Sequence, residues 1–189
     1  MKFYIADTHF GHEGIIKLDK RPFRSAEEMN EMLVNNWNSV VGKGHEVYII
    51  GDMFWKGSNA AEILQRLNGI KYLVKGNHDR ISPEISKGVE WVKDYAEIKD
   101  GENTVILCHY PILFYKHSYN PNTFMLCGHV HNQTKESADL ERFIIDMKSS
   151  RKERWENRAQ ICNVGCMMDW MNYTPKTLDQ IRESMGWYE

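Results

Sequence analysis

The chain has 189 residues, of which 42% are hydrophobic and 26% are charged, and its formal net charge is −2. These values are ordinary for a globular protein, and the length is enough for one domain with a sizeable core over residues 1–189. The small net charge gives no general reason to expect nucleic acid or an anionic membrane as a partner. No apolar stretch approaches the roughly 20 residues that span a bilayer, and Asp7 interrupts the region where a signal peptide would be apolar.

The sequence pattern of the N-terminal half predicts alternating strands and helices. Short apolar runs that predict buried strands are 2–6, 47–50 and 72–74. Residues 10–24 are predicted to form a loop. A helix is predicted to begin at Ser25, where Glu28 is placed to complete a capping box, and a second helix is predicted over 59–67. This order favours right-handed crossovers and a parallel start to the sheet.

The pattern changes beyond residue 88, where short strands are predicted to follow one another. Their ranges are 89–92, 95–99, 103–108, 124–127, 142–146 and 161–164. Consecutive strands without intervening helices favour antiparallel pairing in a second sheet. Long loops are predicted over 110–123 and 147–160. A C-terminal helix is predicted to begin near Thr177, with Gln180 as its capping-box partner.

Polar side chains stand just past the ends of five apolar runs. In sheets of mainly parallel strands, ligand sites gather beyond the carboxyl ends of the strands, so we expect these side chains to meet. Gly51, Gly76 and Gly128 each precede such a side chain, and glycine allows tight turns and close backbone approach there. The side chains are imidazoles, carboxylates and one amide, which bind divalent metals. They are Asp7, His9, Asp52, Asn77, His109, His129 and His131.

The number of donors favours two metal ions over one. A single ion would leave several of the donors idle, and buried carboxylates and imidazoles without partners are energetically costly. Two ions that share one carboxylate would use the whole set. Two divalent ions about 3.5–4 Å apart can bind the attacking and leaving oxygens of a phosphoryl displacement. Two carboxylates against two divalent ions leave a net positive site that attracts phosphate and lowers the pKa of a bridging water.

The five blocks of residues resemble the signature of the calcineurin-like metallophosphoesterase superfamily. They are Asp7-x-His9, Gly51-Asp52, Gly76-Asn77-His78-Asp79, His109 and Gly128-His129-x-His131. The resemblance extends from Asp7 to His131 and implies an α/β fold, a four-layer α/β/β/α sandwich of two mixed sheets flanked by helices. The segment from Asp7 to His12, followed by Arg21-Pro22-Phe23, also resembles a small bacterial and phage branch of predicted phosphoesterases.

The resemblance also implies a role for each residue of the motif. One metal would be held by Asp7, His9, Asp52 and His131, and a second by Asp52, Asn77, His109 and His129. His78 would stabilise developing charge on the phosphate side and could protonate the leaving alkoxide. Asp79 would orient His78. We expect additional substrate contacts from His12, Arg21 and Asn77, although His12 could be a loop residue without a role and Arg21 could instead brace its loop.

Together these residues predict a cytoplasmic, metal-dependent phosphoesterase. Hydroxide at a dinuclear centre would attack a phosphodiester or phosphomonoester of nucleotide type, and the aromatic and basic long loops favour diesters. The cofactors would be two divalent transition-metal ions, manganese being preferred and iron, zinc, nickel and cobalt being alternatives. We expect the substrate to be a small phosphate ester, with no membrane partner.

Three alternatives remain open. The first is a nuclease on single-stranded nucleic acid, favoured by the basic residues around Trp155 in 151–158 but not by the net charge. The second is a non-catalytic scaffold of the same fold, although the retained His78 argues against it. The third concerns the cysteines Cys108, Cys127, Cys162 and Cys166. We expect buried free thiols, and the alternative is a zinc site that uses Cys162 and Cys166.

Overall fold

The computed structural model describes residues 1–132, 134–150 and 156–187. Within them, the strands are β1 Lys2–Ile5, β2 Glu46–Ile50, β3 Ile70–Val74, β4 Val92–Lys93, β5 Tyr95–Asp100, β6 Asn103–Cys108, β7 Thr123–Cys127 and β8 Ile161–Asn163. The helices are α1 Glu13–Leu18, α2 Ala26–Val40, α3 Ala60–Arg66, α4 Pro83–Gly88, α5 Lys135–Ser150 and α6 Leu178–Met185.

The strands form two four-stranded sheets, β1-β2-β3-β4 and β5-β6-β7-β8. All pairs in the first sheet are parallel. In the second sheet β5 and β6 are antiparallel, whereas β6–β7 and β7–β8 are parallel. The predicted α/β fold of two sheets flanked by helices is confirmed, with the difference that the first sheet is parallel throughout instead of mixed.

Alternation along the strands places the sheets between helices. Successive strand residues point to opposite faces, and in β6 Val105 and Leu107 join the core between the sheets while Ile106 joins a second cluster. That second cluster is covered by Leu140 and Phe143 of α5. On the first sheet, the buried side chains of α2 and α3 that enter the main core are Met29, Leu33, Val34, Trp37, Ile63 and Leu64.

The helix-start predictions are confirmed in position. The Ser25 side chain accepts a hydrogen bond from the Glu28 backbone N–H at the start of α2. The capping box is only half formed, because the Glu28 carboxylate accepts from the Arg24 backbone N–H, at 2.7 Å. At α6 both capping-box bonds between Thr177 and Gln180 are present.

The prediction of a strand over 142–146 is wrong, because these residues belong to α5. Phe143-Ile144-Ile145 looks like a strand when it is read alone. The longer pattern is helical, since Leu140, Phe143, Ile144 and Met147 are spaced by three or four residues along one face. For the same reason the predicted loop over 147–160 begins within a helix, and its residues 151–155, which include Trp155, lie outside the described residues.

Three further expectations need correction. The predicted loop over 10–24 contains α1, whose Ile15 and Ile16 are buried. The strand predicted over 89–92 begins only at Val92, and it follows the unpredicted helix α4. Antiparallel pairing holds for β5 and β6, but the long connection after β6 returns the chain to the opposite end of the sheet, which makes β7 parallel to β6. None of the described helices has the length and apolarity to cross a membrane.

Candidate metal centre

The polar residues of the five sequence blocks converge at the carboxyl ends of the strands. Asp7 and His9 follow β1, Asp52 follows β2, Asn77 to Asp79 follow β3, His109 follows β6, and His129 and His131 follow β7. Among these side chains, Asp7, His9, Asp52 and His109 are almost fully buried. The structure therefore brings together, from both sheets, groups that are up to 124 positions apart in the chain.

Asp52 lies at the centre of the cluster. Its Oδ2 atom is 3.7 Å from His9 Nε2, 3.5 Å from His109 Nε2 and 4.0 Å from His78 Nε2. Its Oδ1 atom accepts a hydrogen bond from the His78 backbone N–H, at 2.8 Å. One carboxylate oxygen thus faces three imidazole nitrogens, an arrangement suited to a carboxylate shared between two cations.

Asp7 joins the two parts of the cluster. Asp7, His9 and His131 offer ligand atoms that all lie within 4.8 Å of one another, and so do Asp7, Asp52 and His109. The His129 backbone N–H points to the Asp7 carboxylate, 3.2 Å from both oxygens. In the structure both carboxylates are therefore central, whereas the family resemblance implied sharing at Asp52.

Asn77 completes the side of the cluster formed by the second sheet. Its Oδ1 atom lies 3.0 Å from His109 Nε2 and 3.0 Å from His129 Nδ1. The side chain is exposed. An amide oxygen between two imidazole nitrogens can act as a metal ligand, and from this exposed position it can also contact a substrate, so both predicted roles are compatible with its location.

Contacts behind the cluster fix the orientation of two histidine rings. His109 Nδ1 lies 2.9 Å from the Ile50 carbonyl oxygen, to which it can only donate, so the ring presents Nε2 to Asp52. His131 Nδ1 lies 2.7 Å from Asp19 Oδ1, and its Nε2 faces Asp7 at 3.8 Å. A carboxylate or carbonyl behind a ligating histidine typically fixes its tautomer and strengthens metal binding.

Asp19 is a residue that the sequence analysis missed, and it is linked to Arg21. The Arg21 Nε atom donates to Asp19 Oδ2 at 2.9 Å. The guanidinium also donates to the backbone carbonyl oxygens of Asp7, at 2.9 Å, and Thr8, at 3.1 Å. The Arg21 side chain is 0% exposed, so Arg21 braces the turn after β1 and does not make the predicted substrate contact.

The surroundings of the buried His9 imidazole show whether the cluster fits a metal ion. Among the described residues, its Nε2 atom is buried and has no hydrogen-bond partner. Burial, together with the nearby charge of Arg21, lowers the pKa of His9 to about 2, so the ring is neutral at ordinary pH. A buried polar atom without a partner is costly, whereas a neutral imidazole lone pair is a good metal ligand. The residues therefore fit a metal centre.

The two carboxylates differ in their ease of ionisation. Burial raises the pKa of Asp7 to about 6, although the nearby histidines oppose this shift. Burial also acts to raise the pKa of Asp52, but the hydrogen bond and charge of His109 outweigh it and hold the pKa at about 2. Asp52 is thus ionised in the protein at neutral pH, which suits a central ligand.

Four of the candidate ligands have strained backbone conformations. Asp7, His9, Asp52 and His129 have φ angles of 54°, 50°, 51° and 67°, in the left-handed region. Each such residue costs on the order of 1 kcal/mol when it is not glycine. Strain of this kind concentrates at functional sites because it directs side chains that a relaxed strand end would point elsewhere. The strain therefore supports a functional role for this edge.

The close backbone approach predicted at the glycines is confirmed. A Cβ atom at Gly51, whose φ is +84°, would overlap the imidazole that packs against it. The other two positions also have no room for a side chain, so the turns need glycine to let the donors converge. The glycines and the side chains that they approach are Gly51 with His109, Gly76 with Asp52, and Gly128 with Asp7.

Asp79 has a different role from the predicted one. Its Oδ2 atom accepts from the backbone N–H groups of Asp52, at 2.8 Å, and Gly76, at 2.9 Å. Its Oδ1 atom accepts from those of Met53, at 2.9 Å, and Phe54, at 3.4 Å. The carboxylate therefore links the turn after β2 to the turn after β3. Its oxygen atoms bind these backbone groups and do not orient the His78 ring. Asp79 positions Asp52.

Aromatic side chains that are partly or largely exposed border the cluster on the side of the first sheet. The His78 side chain is 42% exposed. Its ring centroid is 5.0 Å from that of Trp55, and Trp55 stacks face to face on His12 at 3.5 Å with an interplanar angle of 3°. His12 Nδ1 lies 3.5 Å from His9 Nδ1. This wall places His12 beside the site, and it adds Trp55, which the sequence analysis had not singled out.

Comparison with known proteins places the chain in a family. No family model matches it. It is 32% identical over 182 residues to the uncharacterized protein MJ1445 of Methanocaldococcus jannaschii, an alignment that covers 95% of this chain and 88% of the archaeal protein. The chain belongs to the same family as MJ1445. "Gene 66 protein" of Mycobacterium phage L5 is 26% identical over 190 residues, which cover 84% of this chain and 91% of the phage protein.

A solved structure supports the fold of this family member. The crystal structure of the protein of unknown function AQ665 from Aquifex aeolicus matches with a TM-score of 0.70 and 25% sequence identity. The match covers 97% of this chain and 98% of the Aquifex chain. These relatives establish a shared architecture over nearly the whole chain, and the names they carry specify no activity.

The four cysteines are not members of the candidate metal groups found among the described residues. All four are free; Cys127, Cys162 and Cys166 are buried, and Cys108 is partly exposed. The Cys166 thiol donates to the Asp7 carbonyl oxygen at 3.2 Å, which helps to hold the turn after β1. The candidate metal groups found among the described residues contain only aspartate and histidine. The expectation of buried thiols therefore fits the structure better than a zinc site at Cys162 and Cys166.

Proposed function

We propose that the protein is a metal-dependent phosphoesterase that hydrolyses small phosphodiesters, and also phosphomonoesters, with water as the nucleophile. The observation that carries this proposal is the convergence of four histidines, two aspartates and one asparagine at a single edge. Within the group, the buried Nε2 atom of His9 has no hydrogen-bond partner among the described residues. The agreement of all five sequence blocks with the metallophosphoesterase signature supports the same assignment.

The donors are sufficient for two divalent cations. Asp7, His9, Asp52 and His131 would hold one, and Asp52, Asn77, His109 and His129 would hold the other. Imidazole and carboxylate ligands suit manganese, which we expect first, as well as iron, zinc, nickel and cobalt. Such ions would supply Lewis acidity, which offsets phosphate charge and makes water a stronger nucleophile at neutral pH.

The residues of the chain itself have separable tasks in this reaction. The exposed His78 ring, next to Asp52, can donate a hydrogen bond to a phosphate oxygen and pass a proton to the leaving oxygen. Asp79 keeps the turns that carry Asp52 and His78 in register through its four backbone hydrogen bonds. Asp19 holds the ring of His131, and Arg21 holds the backbone of Asp7. These groups let the site bind phosphate without reorganisation.

The proposal includes a reducing compartment such as the cytoplasm. All four cysteines are free in the structure. Burial raises the pKa of the Cys166 thiol to about 12, so this group is neither reactive nor a ready metal ligand. Buried thiols that remain unpaired are usual for proteins of reducing compartments.

A metal-reconstitution screen tests the proposed function. Protein stripped with a chelator would be reloaded separately with manganese, iron, zinc, nickel or cobalt and assayed with bis-p-nitrophenyl phosphate and p-nitrophenyl phosphate. We expect hydrolysis of the diester with at least one metal, loss of the activity in excess chelator, and its return when metal is added back. Failure to hydrolyse either ester with any of the five metals would overturn the proposal and favour the non-catalytic scaffold.

A further inference from the structure

A groove of about 410 Å³ opens beside the candidate metal centre, on the side of the second sheet. Its walls include Tyr110 and Leu113 from the connection after β6, and Leu140 and Phe143 from α5, with His129 in its lining. We refer to it as the α5 groove. Its volume lies in the range of about 300–1,000 Å³ that is usual for small-molecule sites. Because His129 belongs to both, the groove is adjacent to the place where a ligand of the metal centre would lie.

Exposed aromatic rings give the groove its character. The Tyr110 side chain meets His129 edge to face, with 4.5 Å between ring centroids, and His109 in the same way at 5.3 Å. Tyr110 is nevertheless 48% exposed. Phe143 lines the groove and is partly exposed, and it meets Phe114 edge to face at 5.9 Å; Phe114 is 76% exposed and lies outside the groove lining. Large aromatic side chains held open beside a polar site are a common feature of binding surfaces, since they stack on flat apolar groups.

The groove is lined by acidic side chains, whereas a site for an additional phosphate would need basic ones. Its remaining polar lining includes Glu136 and Asp139, both exposed on the first turns of α5. Lysine and arginine are absent from the described residues that line the groove. Just outside that lining, Arg142 Nη1 lies 4.0 Å from Asp139 Oδ1, and a pair between two such exposed side chains offsets only part of the carboxylate's charge. Two carboxylates repel an additional anionic group and accept hydrogen bonds from N–H donors. The groove is therefore matched to an uncharged or donor-bearing ring.

We propose that the α5 groove binds the organic group of the phosphoester, and that this group is a flat aromatic or heterocyclic ring without further negative charge. A nucleobase joined through its sugar to a single phosphate belongs to this class. The inference rests on the proposed function, because it assumes that the phosphate lies at the metal centre. It goes further by assigning substrate selection to Tyr110 and Phe143 and to the carboxylates of Glu136 and Asp139.

The first test compares two diesters with the same leaving group, phenyl p-nitrophenyl phosphate and methyl p-nitrophenyl phosphate. After correction for their uncatalysed rates, wild type should prefer the phenyl ester by about tenfold in kcat/KM. Tyr110→Ala and Phe143→Ala should each lower this preference about three- to tenfold, mainly through KM for the phenyl ester. Ile145→Ala is the matched control, because Ile145 is on the same helix, is 57% exposed and does not line the groove.

The second test addresses the carboxylates. The p-nitrophenyl ester of thymidine 5′-phosphate would be compared with the same compound carrying an additional 3′-phosphate. Wild type should prefer the compound without the additional phosphate. The double variant Glu136→Gln with Asp139→Asn should reduce that preference about fivefold, since it removes two negative charges at unchanged shape. An unchanged preference in the double variant would contradict the assigned role of the carboxylates.

A binding measurement separates failure of this inference from failure of the proposed function. Manganese-loaded protein would be titrated with phenylphosphonate and methylphosphonate in a calorimeter, with no turnover involved. We expect phenylphosphonate to bind about tenfold more tightly, and Tyr110→Ala to remove the difference while metal content stays at the wild-type level. Equal affinities of wild type for the two phosphonates would overturn the inference. So would groove variants that act equally on both esters and bind both phosphonates equally weakly. Neither result would affect the proposed hydrolysis.

Discussion

The inner cluster of candidate ligands and the outer walls of the site are built differently. The residues of the inner cluster follow strand ends. Hydrogen bonds to the backbone or to buried side chains hold its two carboxylates and two of its imidazole rings, as at Asp52 and His109. The outer walls come from loops and α5, and their aromatic side chains, such as Tyr110 and His78, are about half exposed. Strand ends fix positions better than loops do. We infer that the inner cluster, together with His78 at its border, sets the reaction, and that the other residues of the outer walls set which ester is accepted.

Replacing the central carboxylate should have the largest effect. Asp52→Asn removes the charge that faces three imidazole nitrogens, so we expect activity to fall by roughly a thousandfold or more, together with loss of bound metal. The measurements are metal content by mass spectrometry and the rate of diester hydrolysis. A variant that keeps both its metal and its rate would show that Asp52 is not a shared ligand.

Replacing His78 should separate catalysis from metal binding. His78→Ala should lower kcat about a hundred- to a thousandfold, because a positioned acid is lost, while metal content stays at the wild-type level. His45→Ala provides a control, since His45 directly precedes β2 and packs on Phe3, toward the end of the strands opposite to the candidate ligands. If His78→Ala loses metal in parallel with its activity, then His78 belongs to the inner cluster and not to the wall.

The residue behind His131 should act on metal affinity more than on rate. Asp19→Asn weakens the hydrogen bond to His131 Nδ1, so we expect metal to bind about 10- to 100-fold more weakly, with a near-normal rate at saturating metal. Asp169→Asn is a suitable control, because Asp169 is exposed in the same surface depression as Asp19. Equal metal affinity in both variants would exclude a positioning role for Asp19.

Removing the Asp79 carboxylate, which links the two turns, should lower the stability of the protein. Asp79→Ala leaves backbone N–H groups of the turns after β2 and β3 without their acceptor, which should lower the free energy of unfolding by about 1–3 kcal/mol. Urea denaturation of the metal-free protein measures this difference, with the exposed Asp94→Ala as the control. A midpoint equal to that of the control would show that the four bonds contribute little.

The smallest effect is expected at the aromatic wall of the first sheet. Trp55→Ala removes the surface on which His12 stacks, and we expect a change of less than about tenfold in kcat/KM, carried by KM. Substrate-saturation curves separate KM from kcat. A fall in kcat as large as that of His78→Ala would mean that Trp55 also takes part in the reaction itself.

The inner cluster could be predicted from sequence because its signals are local. Each donor follows an apolar run and, in three cases, a glycine, so strand, turn and ligand lie within a few consecutive residues. Two of its supports could not be predicted in the same way. Asp19 contacts His131 across 112 positions, and Asp79 contacts backbone groups, which any sequence possesses. The Asp19 contact leaves no motif, and the motif that contains Asp79 does not specify which groups its carboxylate binds.

The outer walls were predicted less well for a related reason. The apolar run Phe143-Ile144-Ile145 favours a strand over a short window, and only its spacing relative to Leu140 and Met147 indicates the helix that forms the groove. The stacking of His12 on Trp55 joins residues 43 positions apart on two loops. Such contacts depend on how the turns are arranged in three dimensions, and residue type alone does not determine that arrangement.

We propose that the cluster holds two divalent ions and that the protein needs both of them to hydrolyse a phosphodiester. The most direct test of this proposal is a titration of metal-free protein with manganese, with the rate of bis-p-nitrophenyl phosphate hydrolysis measured at each step. We predict that the rate rises with added metal and reaches its plateau near about two equivalents per chain. No hydrolysis at any loading, or an equal rate in excess chelator, would contradict it.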